Sequence, residues 1–153
     1  MLLFLAFLIG IIAGLRAMTA PAAVAWGAAL GWFDVSQTEL AFMGYKWTPW
    51  IFTVLAAVEL ITDQLPTTPS RKVPMQFGAR IIMGALTGAT IGASGGSLVG
   101  GLIAGVVGAA VGTLGGAAAR GRLAAIFGKD TPAALIEDAV AIVGAVLIVS
   151  AVA

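Results

Sequence analysis

The run from Ile81 to Ala119 contains no charged side chain. A bilayer core about 30 Å thick is crossed by about 20 apolar helical residues, so this stretch is too long for one crossing. It divides naturally at Ser94-Gly95-Gly96-Ser97, where serine and glycine favour a turn. Similar reasoning marks spans elsewhere. The expected set is about 1–33, interrupted near 14–21, then 47–65, 78–93, 98–119 and 132–153, making an all-α, polytopic transmembrane helical bundle in one integral membrane domain. Over 153 residues the chain is 60% hydrophobic and 10% charged, against roughly 25% charged in a soluble domain. A soluble fold of this size has too little interior to hide that apolar surface.

The first apolar run is the unusual one. Continuous helix from Met1 to Phe33 would be about 50 Å long at 1.5 Å per residue, and Arg16 lies within it. Gly10 and Gly14 precede the arginine and Pro21 follows Thr19. A kink or unwound stretch between Gly14 and Pro21 is therefore expected. No Lys or Arg precedes the apolar stretch, so Met1 to Leu15 is expected to stay as a helix and not be removed as a signal peptide. The second span carries Glu59 and Asp63 one turn apart on one face. Pro66, Pro69 and Pro74 are expected to make Pro66 to Gln76 a loop, with the Thr- and Ser-bearing segment Leu65 to Lys72 read as a proline-rich connection in preference to a docking loop.

Positive charge orients the spans, because Lys and Arg favour cytoplasmic loops. Arg71, Lys72 and Arg80 mark one inside connection, and Arg120, Arg122 and Lys129 mark another. The connection from Phe33 to Lys46 holds Asp34, Glu39 and one lysine, with Trp32, Tyr45, Trp47 and Trp50 beside it. Five crossings of the cell membrane with a cytoplasmic N-terminus satisfy these loops and put the aromatic rings at the outer interface. Met1 to Leu65 and Leu98 to Ala153 would then run in opposite senses, so an inverted repeat is a candidate. Thr48-Pro49 and Thr131-Pro132 align between these halves and little else does.

Fifteen of the 21 glycines fall between Gly78 and Gly128. Gly84, Gly88 and Gly92 form one four-residue series, and Gly101, Gly105, Gly108, Gly112 and Gly116 continue the pattern on the next helix. In lipid no hydrophobic force presses helices together, and small residues permit the close backbone approach that does. Packing within the chain is the favoured reading, with a homo-oligomer seam as the alternative. None of these stretches ends in Gly-Lys-Ser/Thr between a strand and a helix, which removes a nucleotide phosphate loop.

Histidine and cysteine are absent, which excludes disulfides, thiol or imidazole catalysis and the commonest metal ligands. Ser94, Ser97 and Ser150 have no evident base, so an enzyme is not expected. No cofactor or metal is expected either. A net charge of +1 offers no basic face for nucleic acid. The expected partners are the lipid bilayer, a small solute or ion, and a second copy of the chain.

Ionisable residues inside a membrane are costly and by default functional. Arg16 and Glu59 lie near the middle of their spans and are expected to pair. Asp63, Arg80, Glu137 and Asp138 are expected nearer the cytoplasmic boundary, where Arg80, Arg120 and Arg122 neutralise the acids. One reading is a cytoplasm-facing polar cavity, in which Arg16 binds an anionic group or the carboxylates relay protons or hold a cation. The other is an ion-pair network that only fixes helix register. Gly14-Leu15-Arg16-Ala17, Glu59-Leu60-Ile61-Thr62-Asp63-Gln64-Leu65-Pro66 and Ile136-Glu137-Asp138 together resemble the bacterial membrane proteins grouped as domain of unknown function 4126. The resemblance implies a small helical membrane protein and carries over no catalytic residue.

Overall fold

A computed structural model of the chain describes residues 2–38, 40–62, 74–128 and 130–152. Six α-helices occupy most of that length: α1 Leu2–Leu15, α2 Thr19–Ala29, α3 Thr48–Thr62, α4 Pro74–Ser94, α5 Leu98–Phe127 and α6 Asp130–Val152. A short 3-10 turn, Ala41–Gly44, interrupts the connection from α2 to α3, and the described residues contain no strand. Asp63 and the Leu65 to Lys72 connection lie outside the described residues.

The interruption of the first apolar run falls at Arg16 to Met18. Pro21 sits in the first turn of α2, where its missing N–H has no intrahelical acceptor to lose. The two Thr-Pro pairs likewise fall in the first turns of α3 and α6. Proline also corrects one expectation. Residues 74–76 are the first turn of α4 and not loop, because a proline at the first helical position is preorganised for the helix. At the other end, α5 continues beyond Ala119 through Arg120 and Arg122, both good helix formers, and stops at Gly128 with φ +73°.

Helices α1, α4 and α5 form the tightest part of the bundle; α2 and α6 pack against that group and against each other, and α3 packs on α2. Glycine decides how close they come. A Cβ on Gly105 would lie 2.0 Å from the carbonyl oxygen of Gly84, and one on Gly88 would lie 2.3 Å from that of Gly101. On the adjoining face of α5, a Cβ on Gly108 would meet the Phe7 oxygen at 2.1 Å and one on Gly112 the Ile11 oxygen at 2.2 Å. A Cβ on Gly92 would lie 2.3 Å from the Ser97 oxygen. Backbone thus stands against backbone on two sides of α5. Gly116, one turn further, lines a cavity between α1, α5 and α6.

The turn between α4 and α5 is equally tight. Gly96 adopts φ +83°, and the Ser97 N–H donates to the Gly92 carbonyl at 2.8 Å, which closes the end of α4. In the connection after α2, Phe33, Val35 and Met43 turn inward onto Ile9, Val24, Ile91 and Val149. Side-chain and backbone hydrogen bonds from Ser36 hold the exposed Asp34 carboxyl below its ordinary value.

Much of the outer surface is apolar. Val99, Ile103, Val107 and Val111 recur every four residues as an exposed stripe along α5, and Val143 and Leu147 are exposed on α6. Among the described residues, Leu98–Phe127 and Leu135–Val152 are long and apolar enough to cross a membrane by length and composition. Leu2–Leu15 and Thr48–Glu59 are shorter apolar helices.

The glycine contacts give a paired test. Gly105→Ala forces a methyl against the Gly84 carbonyl and is expected to lower stability by about 1–3 kcal/mol through overpacking. Gly115→Ala, where a Cβ meets nothing within 4 Å, is expected to be neutral or slightly stabilising because alanine favours helix. Thermal unfolding of the two purified variants beside the unsubstituted protein measures the difference.

Candidate functional site at the break between the first two helices

Ending α1 and restarting the chain as α2 strands backbone carbonyls at one helix end and N–H groups at the other. Here the break is buried, with Arg16 at 0% exposure and Ala17 at 5%, so those groups must find partners inside the protein. The Arg16 N–H still donates to the Ile12 carbonyl at 2.8 Å. The Gly14 carbonyl accepts from Arg80 Nη1 at 2.9 Å and, more weakly, from Thr113 Oγ1 at 3.5 Å. On the α2 side, Ala17 N–H donates to Glu59 Oε2 and Met18 N–H to Glu59 Oε1, each at 2.9 Å. A carboxylate is well matched to this position, because it accepts at both oxygens and lies at the positive end of the α2 dipole.

The Arg16 side chain reaches α6. Its Nε donates to Asp138 Oδ1 at 2.6 Å, its Nη2 also meets Asp138, and its Nη1 lies 2.9 Å from Glu137 Oε1. Glu137 and Asp138 are consecutive and so diverge around the helix, and the planar fork of the guanidinium spans both. Arg120 of α5 approaches the same Glu137 oxygen at 3.7 Å. Three arginines (Arg16, Arg80, Arg120) and three carboxylates (Glu59, Glu137, Asp138) therefore gather at one place, and with all six ionised their charges sum to zero.

Of the expected site residues, Arg16, Glu59, Arg80, Glu137 and Asp138 meet at the break, and Asp63 lies outside the described residues. The arrangement differs in detail from the expected Arg16–Glu59 pairing. The guanidinium sits on the two α6 acids, and Glu59 sits on the two amides that follow Arg16. Arg80 is buried at 3% exposure, with its guanidinium turned to the end of α1. Sequence reasoning did not single out Thr113. Its signal is the buried stripe Gly105, Ala109, Thr113 on α5, in which a polar residue takes a position otherwise reserved for small ones.

Chemically, the site offers partners that can be exchanged. An anion reaching the enclosed Arg16 would have to displace the α6 carboxylates, and a proton on Glu59 would turn one acceptor oxygen into a donor and weaken its hold on the Ala17 and Met18 amides. Among the described residues, no group of three or more acidic side chains converges as a metal would require. No family model matches the sequence, and no curated protein or solved structure matches it either.

Removing one member of this network leaves a buried charge without its partner, which in general costs 3–5 kcal/mol. Arg16→Met is therefore expected to destabilise the fold by about that amount. The triple variant Arg16→Met/Glu137→Gln/Asp138→Asn, which removes both signs together, is expected to recover part of the loss. Chemical or thermal unfolding of the single and triple variants distinguishes the two.

Proposed function

We propose that this chain is a small transporter-like or channel-like integral membrane protein whose polar site is the helix break around Arg16 and Glu59. The observation that carries the reading is the discontinuous helix, whose amides at the break, those of Ala17 and Met18, are held by a carboxylate from another helix. Backbone that leaves helical geometry at membrane depth is tolerated where it is buried in protein or lines a cavity, and transporters place solute and ion sites at such breaks. The exposed apolar stripes of α5 and α6 fit lipid as their surroundings. In this reading the chain makes five crossings, α1 and α2 together forming the first, with the N-terminus cytoplasmic. Membership of the family grouped as domain of unknown function 4126 belongs to the same proposal.

A second reading has its own support. The Arg16 guanidinium is fully enclosed and meets two carboxylates, as it would in a protein whose charges only fix helix register for a structural or partner-binding role.

Flux measurements on protein reconstituted into liposomes decide between them. With a proton-sensitive dye or a chloride indicator inside the vesicles, the transport reading predicts protein-dependent flux that falls at least tenfold in Glu59→Gln. Absence of flux in the unsubstituted protein, or equal flux in a folded Glu59→Gln variant, would favour the structural role.

A further inference from the structure

Threonines inside helices usually satisfy their hydroxyl by donating to a carbonyl one turn earlier. Thr53, Thr87 and Thr90 do so, to the carbonyls of Pro49, Met83 and Leu86, each at 2.7 Å. Thr19 cannot. It is the first residue of α2, and the residue four positions before it, Leu15, is the last of α1, so no helical turn precedes its hydroxyl. Thr19 is 7% exposed, and its Oγ1 is buried with no hydrogen-bond partner among the described residues. A buried hydroxyl left unpaired is unfavourable and calls for an explanation.

The same residue lines a cavity of about 290 Å³ between α2, α3 and α6, close to the lower end of the roughly 300–1,000 Å³ range of small-molecule sites. Its walls are otherwise almost wholly apolar: Ala22 and Ala23 from α2, Ala56 and Ala57 beside Thr53 from α3, and Ala145 with the larger Ile142 and Val146 from α6. Alanine on all three helices leaves room between them, and the Thr53 hydroxyl on this wall is already taken up by Trp26 and the Pro49 carbonyl. Polarity is concentrated at the helix start. There the positive end of α2 favours an acceptor oxygen, while the neighbouring Glu59 carboxylate, already seated on the Ala17 and Met18 amides, disfavours a second anion.

From this combination we infer that the cavity between α2, α3 and α6 binds an uncharged, single-chain amphiphile, its hydroxyl or carbonyl oxygen bonded to Thr19 and its hydrocarbon chain lying between the alanines. The site is separate from the charged network and does not depend on transport. A built-in reporter stands beside it. Trp26 Nε1 donates to Thr53 Oγ1 at 2.8 Å, and Thr53 forms part of the cavity wall, so a heavy atom on the far end of a bound chain would quench that indole.

The test titrates the purified full chain, in detergent, with dodecanol brominated at its terminal carbon and follows tryptophan fluorescence. Bromododecane, which lacks the hydroxyl, serves as the control. Saturable quenching by the alcohol is expected. Thr19→Val should weaken its apparent affinity about fivefold, the usual size of one lost hydrogen bond, and Thr19→Ser should restore it. Ala57→Phe, at an exposed position on the wall, should abolish the saturable phase by filling the groove. The proposal is overturned if quenching never saturates, as a cavity holding only water would give. It is equally overturned if the alcohol and bromododecane bind alike, or if Ala57→Phe leaves the titration unchanged.

Discussion

Two hydrogen bonds from the Ala17 and Met18 amides to Glu59 hold the point on which the rest of the structure turns. A chain that stops one helix and starts another in a buried place must either rejoin the helical ladder or find acceptors and donors from elsewhere. Here they come from elsewhere. Glu59 on α3 takes the amides, Arg80 on α4 takes the Gly14 carbonyl, and Glu137 and Asp138 on α6 take the side chain that lies between. Because each of these hydrogen bonds involves an ionised group, each is stronger than a neutral one. Three helices are thereby fixed to the break by chemistry that van der Waals packing alone could not make directional.

Glycine supplies the complementary constraint. Arg80 reaches Gly14, and Thr113 comes within 3.5 Å of it, with α1, α4 and α5 nearly in backbone contact. Gly84, Gly88, Gly101 and Gly105 hold α4 on α5, and Gly10, Gly14, Gly108 and Gly112 hold α1 on α5. Close packing places the polar groups, and the polar groups in turn fix the register of helices whose glycine faces would otherwise slide. Away from these glycine contacts, alanines line a space between α2, α3 and α6.

Much of this is legible from residue types. Charge-free runs, proline positions and the Ser94 to Ser97 turn locate most helix ends, and an arginine between glycines and a proline locates the break. Two features escape that kind of reading. The partners of a buried arginine depend on which helices are neighbours in space, and nothing along the chain says that α6 and not α3 faces the Arg16 guanidinium. Pro74, read as a loop residue, shows the other difficulty. Proline both ends and begins helices, and only the fold tells which it does.

Hydrogen exchange at the Ala17 and Met18 amides tests the central interaction most directly. If Glu59 holds the break, both amides exchange as slowly in the intact protein as those inside α1, and Glu59→Ala accelerates them while leaving α5 protected. Rapid exchange at both positions in the intact protein, or protection that persists without the carboxylate, would contradict it.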